Sequence, residues 1–311
     1  MSAIQTAGGD SRTRSYGSKA GLGPPRRRVP RVPRVAGWLG AAPLLVFAAV
    51  VFGLVLGTMV IGAFTTPQSA PGGARLTGAN MSASLHGPYL TALIGSVKLS
   101  AVSALIATIV GLPIAHVVVT SRFRALREAV LAASGVLANF GGVPLAFAFV
   151  ATLGNAGVLT SRFHLLSHGW NLYSFWGLTL VYLYFLIPLM VLTLTPALEG
   201  LRRQWREAAR NNGANAFRYW THVALPILMP SLLGGYVLLF GTAFSAYATA
   251  AAMVGSSVPL VTMQIADALS GNVLVGQGNV ALALGVDMVL VAGLIVAIQL
   301  PLQRRSARWL A

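Results

Sequence analysis

Six apolar runs, each long enough to cross a bilayer, constrain this chain more than any other feature. They fall at about 38–64, 91–119, 129–153, 173–197, 223–251 and 279–301. A helix rising about 1.5 Å per residue needs about 20 such residues to traverse the hydrocarbon layer. No water reaches the backbone there, so each run is expected to satisfy its own amides as a helix. The expectation is an all-α membrane protein of six transmembrane helices. Composition agrees, with 56% hydrophobic and only 9% charged residues, where soluble domains carry about a quarter charged.

The charges that remain are one-sided. Twenty-two Lys and Arg stand against six Asp and Glu, a balance that in a soluble chain would point to nucleic acid. Here the Arg residues cluster between apolar runs and form no basic face interleaved with aromatics, so nucleic acid is not expected as a partner. Nineteen of the basic residues fall before the first run, after the second, after the fourth and at the C-terminus, whereas the alternate connections hold only Arg75 and Arg162. By the positive-inside rule both termini are expected in the cytoplasm, with Lys98 left in or beside the second span. Residues 1–36, rich in Gly, Ser, Pro and Arg, predict a disordered basic cytoplasmic tail. Residues 37–311 are the transmembrane domain. A polar lead this long does not read as a cleaved signal, so the first run is expected to stay as an anchor.

One cytoplasmic connection, about 200–222, has a composition of its own. Glu207-Ala208-Ala209 favours a helix, Gly213 permits a sharp turn after it, and Leu225-Pro226 marks entry to the next span. Small Ala side chains let a partner approach closely, and the segment reads as a docking knob. The alternative is a basic loop resting on lipid head groups. Spacing favours the knob: Glu207-Ala208-Ala209, three residues, Gly213, nine residues, Val223, one residue, then Leu225-Pro226.

That series resembles the EAA signature of the integral-membrane permeases of binding-protein-dependent ABC importers, with Val223 where Ile is more usual. The resemblance covers about residues 90–305 and implies the type I importer permease fold. It further implies that this segment is a coupling helix seated on a cytoplasmic ATPase, with Glu207, Ala208, Ala209, Leu225 and Pro226 in the docking region and Gly213 at its turn. Two ATPase subunits, a second six-span permease subunit, homologous or identical, and an extracytoplasmic substrate-binding protein are the implied partners, beside the lipid bilayer. The implied location is the bacterial inner membrane.

No enzymatic constellation competes. The chain has no G-x-x-x-x-G-K-[ST] loop, no H-E-x-x-H pair and no G-x-S-x-G elbow. This chain is therefore expected to bind no cofactor, with ATP and Mg on the partner ATPase. It has no Cys, and its five His are scattered, so no metal site is expected.

Six residues are candidates for a solute path. Asp287, an acid within the sixth span, is costly to bury without a role or a partner. It could pair with Lys98, although their depths match poorly, or bond to Ser, Thr or Asn on neighbouring helices. Ser245, Tyr247 and Thr249 close the fifth run with hydroxyls among small residues, which suit either a polar route or close packing. Asn139 stands beside Gly141-Gly142 and Pro144, where a helix irregularity is expected. The connection with Gln264, Asp267 and Asn272 is expected either to face outward or to re-enter as a gate.

The pattern FSAYATAAAM, ALSGNVLVGQGN and RRSARW is similar to the spermidine and putrescine branch of these permeases, which implies a polyamine-type or related organic solute. The rival from another class is an ion-coupled secondary transporter using Asp287 and Lys98 as a relay.

Overall fold

The computed structural model describes residues 34–67, 73–253, 257–270 and 277–307; most of the expected basic tail, and Asn272, lie outside them. The chain forms two compact units, Met1–Val51 and Phe52–Ala311. In the first, the described residues are helical, the start of α1 (Arg34–Ala63), with Leu44 and Phe47 exposed.

The second unit is helical throughout its described length apart from short connections. After the end of α1 come α2 (Ala79–Ser84), α3 (Gly87–Thr120), α4 (Arg124–Asn139), α5 (Val143–Leu153) and α6 (Val158–Arg162). Then follow α7 (Phe175–Glu199), α8 (Arg203–Asn211), α9 (Ala216–Tyr219), α10 (Leu225–Phe244), α11 (Ala248–Met253), α12 (Val261–Ser270) and α13 (Gly278–Ala307). Six stretches are long and apolar enough to cross a membrane, as expected from the sequence.

Helix α7 is the centre of the packing, with its Leu178, Val181, Tyr182, Leu186, Met190 and Leu194 buried and only its start, at Trp176 and Leu180, showing large exposed side chains. Ser174 begins it, its hydroxyl accepting from the Gly177 amide at 3.3 Å as an N-cap. Helices α3 and α10 close on α7 at Met190. A Cβ on Gly111 of α3 would stand 2.8 Å from Met190 Cβ, and one on Gly235 of α10 would stand 2.7 Å from its sulfur. Membrane helices gain no hydrophobic drive against lipid, so such close approach over small residues is what holds them together.

Two expected spans differ from the sequence reading. The run at 129–153 is two helices: α4 stops at Asn139, Phe140 to Gly142 are non-helical, and α5 starts at Val143. The membrane-length stretch is displaced to Val143–Arg162. Gly142 has φ 80° and ψ −153°, a region only Gly adopts readily, and that backbone sets the break. The fifth span starts earlier than 223, at Ala216, and its long helix ends at Phe244 rather than 251. Ser245 to Tyr247 break it before α11.

The ends are tied by polar contacts. At one end the Asn80 amide donates to the carbonyls of Ala63 (3.2 Å) and Thr65 (2.8 Å), Asn279 also donates to Thr65, and Tyr89 donates to Gln277. At the other, Arg127 of α4 pairs with Glu199 at the end of α7, and Trp220 meets His116 of α3 edge to face at 4.7 Å. Two connections that carry Arg clusters in the sequence thus share one end of the bundle.

Candidate functional site

At that end α8 and α9 form a helix-turn-helix knob. Gly213, at φ 75°, closes α8 in a Schellman arrangement: its amide donates to Arg210 O at 2.9 Å, and the Ala214 amide donates to Ala209 O at 2.9 Å. Nothing lies within 4 Å of where its Cβ would be, so the backbone angle alone requires glycine here. Asn215 then caps α9, its side-chain oxygen accepting from the Arg218 amide at 2.8 Å.

Glu207 and Ala208 are exposed on the outer face of α8 and Ala209 is half-buried. Glu207 accepts from Arg203 Nε at 2.8 Å, one helical turn away. Arg202 lies over Trp205 at 5.7 Å. Phe217, 75% exposed on α9, adds an apolar tip that the sequence reading passed over. Beneath the knob is a cleft of about 380 Å³ walled by Arg206, Arg210, Asn215, Tyr219 and Trp220.

The knob is joined to the membrane without a hinge. Helix α9 passes through a π-helical turn, Trp220–Ala224, into α10. Pro226 lacks an amide hydrogen, and its ring would collide with the carbonyl of His222 four residues back. A wider turn relieves that collision while keeping the chain helical. Leu225 and Pro226 are therefore not the entry to the span, as the sequence suggested, but lie within a helix running Ala216–Phe244, about 43 Å long at the usual rise.

Within the membrane region the two breaks meet. Thr249 of α11, buried, accepts from the Gly142 amide at 2.8 Å and directs its own hydroxyl to Gly142 O at 3.4 Å. Tyr182 of α7 donates to Ala246 O at 3.2 Å. Broken helix is tolerated at membrane depth only where protein or water satisfies the freed amides and carbonyls, and here two side-chain hydroxyls do so. Tyr182 carried no signal in the sequence, because a Tyr in an apolar run reads equally well as packing.

The other path candidates separate. Asn139 and Ser245 turn back on their own helices, to Gly135 O and Gly241 O, both at 2.9 Å. Tyr247 is 45% exposed beside the second break. Asp287 is buried, its Oδ2 without a hydrogen-bond partner among the described residues, and the Ser84 hydroxyl of α2 turns to Met81 O at 2.9 Å. Lys98 is exposed on α3 and forms no ion pair among the described residues, so the structure does not bring the proposed relay pair together. Of the connection with Gln264 and Asp267, the start of α12 returns to the bundle: the Val261 amide donates to the buried Ser96 hydroxyl of α3 at 2.8 Å.

The comparisons with known proteins fit this geometry. The sequence profile of a family described as binding-protein-dependent transport system inner membrane component matches residues 111–308. The spermidine/putrescine transport system permease protein PotB of Haemophilus influenzae is 38% identical over 78 residues, 25% of this chain and 27% of that protein. The molybdenum transport system permease protein ModB of Mycobacterium bovis is 28% identical over 211 residues, 66% of this chain and 76% of that protein. The chain thus spans little more than a quarter of one curated relative and about three quarters of another. Among solved structures, a chain of a bacterial alginate ABC transporter, in complex with an alginate pentasaccharide-bound periplasmic protein, superposes with a TM-score of 0.63. It is 17% identical and covers 87% of this chain and 96% of its own.

Proposed function

This chain belongs to the family of binding-protein-dependent transport system inner membrane components, and on that premise we propose that it forms half of the translocation pathway of an ABC importer. The observation that carries the reading is the knob at α8 and α9, continuous with the fifth span. A partner that grips the knob and moves takes α10 with it, and through the Trp220–His116 contact it also acts on α3.

In this reading a cytoplasmic ATPase seats on Glu207, Ala208, Ala209 and Gly213, with Leu225 and Pro226 passing its movement into the membrane. ATP and Mg sit on that ATPase, and this chain is its non-catalytic partner. Both termini are cytoplasmic, supported by the basic residues gathered at the knob end. A second permease subunit, identical or homologous, completes the pathway, and an extracytoplasmic binding protein delivers the solute. Asn139, Ser245, Tyr247 and Thr249 flank the two breaks and are the residues proposed nearest the path. Lys98 lines it only if its exposed face meets the second subunit. Asp287, a buried acid whose Oδ2 has no hydrogen-bond partner among the described residues, is likewise proposed as a pathway residue.

We take a polyamine-type organic solute as the working assignment, supported by the likeness to PotB over 78 residues. Cross-linking from an Ala208→Cys variant in native membranes tests the main reading: the expected product joins this chain to an ATP-hydrolysing subunit, and capture of lipid alone would sink it. Uptake of radiolabelled spermidine against molybdate, by cells with and without this chain, tests the solute.

A further inference from the structure

Between the last turns of α3 and the first turns of α4 runs a groove of about 370 Å³ that none of the described residues fills. Its walls are Pro113, Ile114, Val117, Val118, Leu126 and Val130, and almost every atom they present is apolar. Val117 is 65% exposed. From Pro113 to Ser121 the groove follows eight residues of helix, about 12 Å at the usual rise. It therefore runs from the bundle end well into membrane depth.

The mouth of the groove is chemically unlike its walls. Ser121 and Arg127 line it, and exposed Arg122 and Arg124 adjoin it in the chain. Two carboxylates face these three guanidinium groups: Glu128 pairs with Arg124 at 2.8 Å, and Glu199 pairs with Arg127. Arg122 has no carboxylate partner among the described residues, which leaves one positive charge in surplus. Phe123, 75% exposed between two of the Arg, is an apolar side chain of the kind that buries at the boundary of head groups and acyl chains.

An apolar slot open to the hydrocarbon, with cations at head-group level, is complementary to one kind of molecule. We propose that the groove binds an anionic phospholipid, an acyl chain lying along Pro113 to Val118 and its phosphate held at Arg122. Placing it in the cytoplasmic leaflet rests on the orientation proposed above; the site itself does not.

The test uses the full chain purified with its co-expressed partner subunits, and native mass spectrometry with phosphatidylglycerol or phosphatidylcholine of matched acyl chains. The wild-type protein is expected to retain phosphatidylglycerol about fivefold more tightly, the scale of one basic side chain at a membrane surface. Arg122→Gln should bring that ratio close to one and leave phosphatidylcholine unchanged, whereas Val117→Trp, which fills the groove, should weaken both. Both substitutions are of outward-facing side chains, and the second variant guards against a purely electrostatic change at the surface. Equal retention of the two lipids by the wild type, or both variants behaving as wild type, overturns the proposal. High-yield photocross-linking from a benzophenone attached at Val117→Cys to a neighbouring permease chain also overturns it, by giving the groove a protein occupant. Neither ATP hydrolysis nor solute enters the readout, so its failure leaves the importer reading intact.

Discussion

The knob at α8 and α9 and the paired breaks at Gly142 and Ala246 both interrupt regular helix, yet different forces hold them. In the knob every shaping contact is local. Gly213 and Ala214 bond back to Arg210 and Ala209, Asn215 caps the next three residues, and Arg203 reaches Glu207 one turn away. At the breaks the shaping contacts come from far along the chain, Thr249 to Gly142 and Tyr182 to Ala246. Water completes the knob's hydrogen bonds, so it can stand exposed and be gripped by a partner. At the breaks other helices supply the donor and acceptor, Tyr182 and Thr249.

That contrast predicts an order of effects on stability, read by unfolding the purified protein in mixed detergent micelles. Gly142→Val forces a β-branched residue into a glycine-only backbone region and should cost about 3 kcal/mol. Thr249→Val leaves the buried Gly142 amide without an acceptor and should cost about 2 kcal/mol, while Thr249→Ser, which keeps the hydroxyl, should restore most of it. A Thr249→Val protein as stable as wild type would show that the two breaks are not held to each other. Tyr182→Phe deprives one carbonyl of its donor and should cost about 1 kcal/mol.

Knob variants should separate stability from function. Gly213→Ala meets no neighbour and suffers only its left-handed backbone, again about 1 kcal/mol, but cross-linking of the knob to its ATPase partner and solute uptake should both fall. Glu207→Gln removes an exposed pair and should change stability by less than about 0.5 kcal/mol, with any loss appearing in uptake alone. If Glu207→Gln instead destabilises the chain as much as Thr249→Val does, the knob is part of the folded core and not a docking surface.

How much of this was legible beforehand follows the same division. Glu207, Ala208, Ala209 and Gly213 could be placed on a helix and its turn because caps and left-handed glycines act on neighbours in sequence. Asn139 with Gly141-Gly142 marked an irregularity correctly, but not that the run at 129–153 would divide there and shift the membrane-length stretch to Val143–Arg162. Leu225-Pro226 misplaced the start of the fifth span, because a proline can be absorbed by a π turn as well as by a helix end. Asp287 was given two possible kinds of partner; among the described residues Lys98 forms no ion pair with it, and its Oδ2 is buried without a hydrogen bond.

The sequence by itself determined that six helices cross a membrane and that one basic connection carries a helix-turn-helix knob, since both depend on the polarity and backbone preferences of residues close together. Only the tertiary structure decided that Thr249 and Tyr182 would satisfy breaks at Gly142 and Ala246, and that Gly111 and Gly235 would close on Met190. A freed amide in hydrocarbon must find some partner, but which one depends on how distant helices pack, and a periodic apolar pattern does not encode that choice.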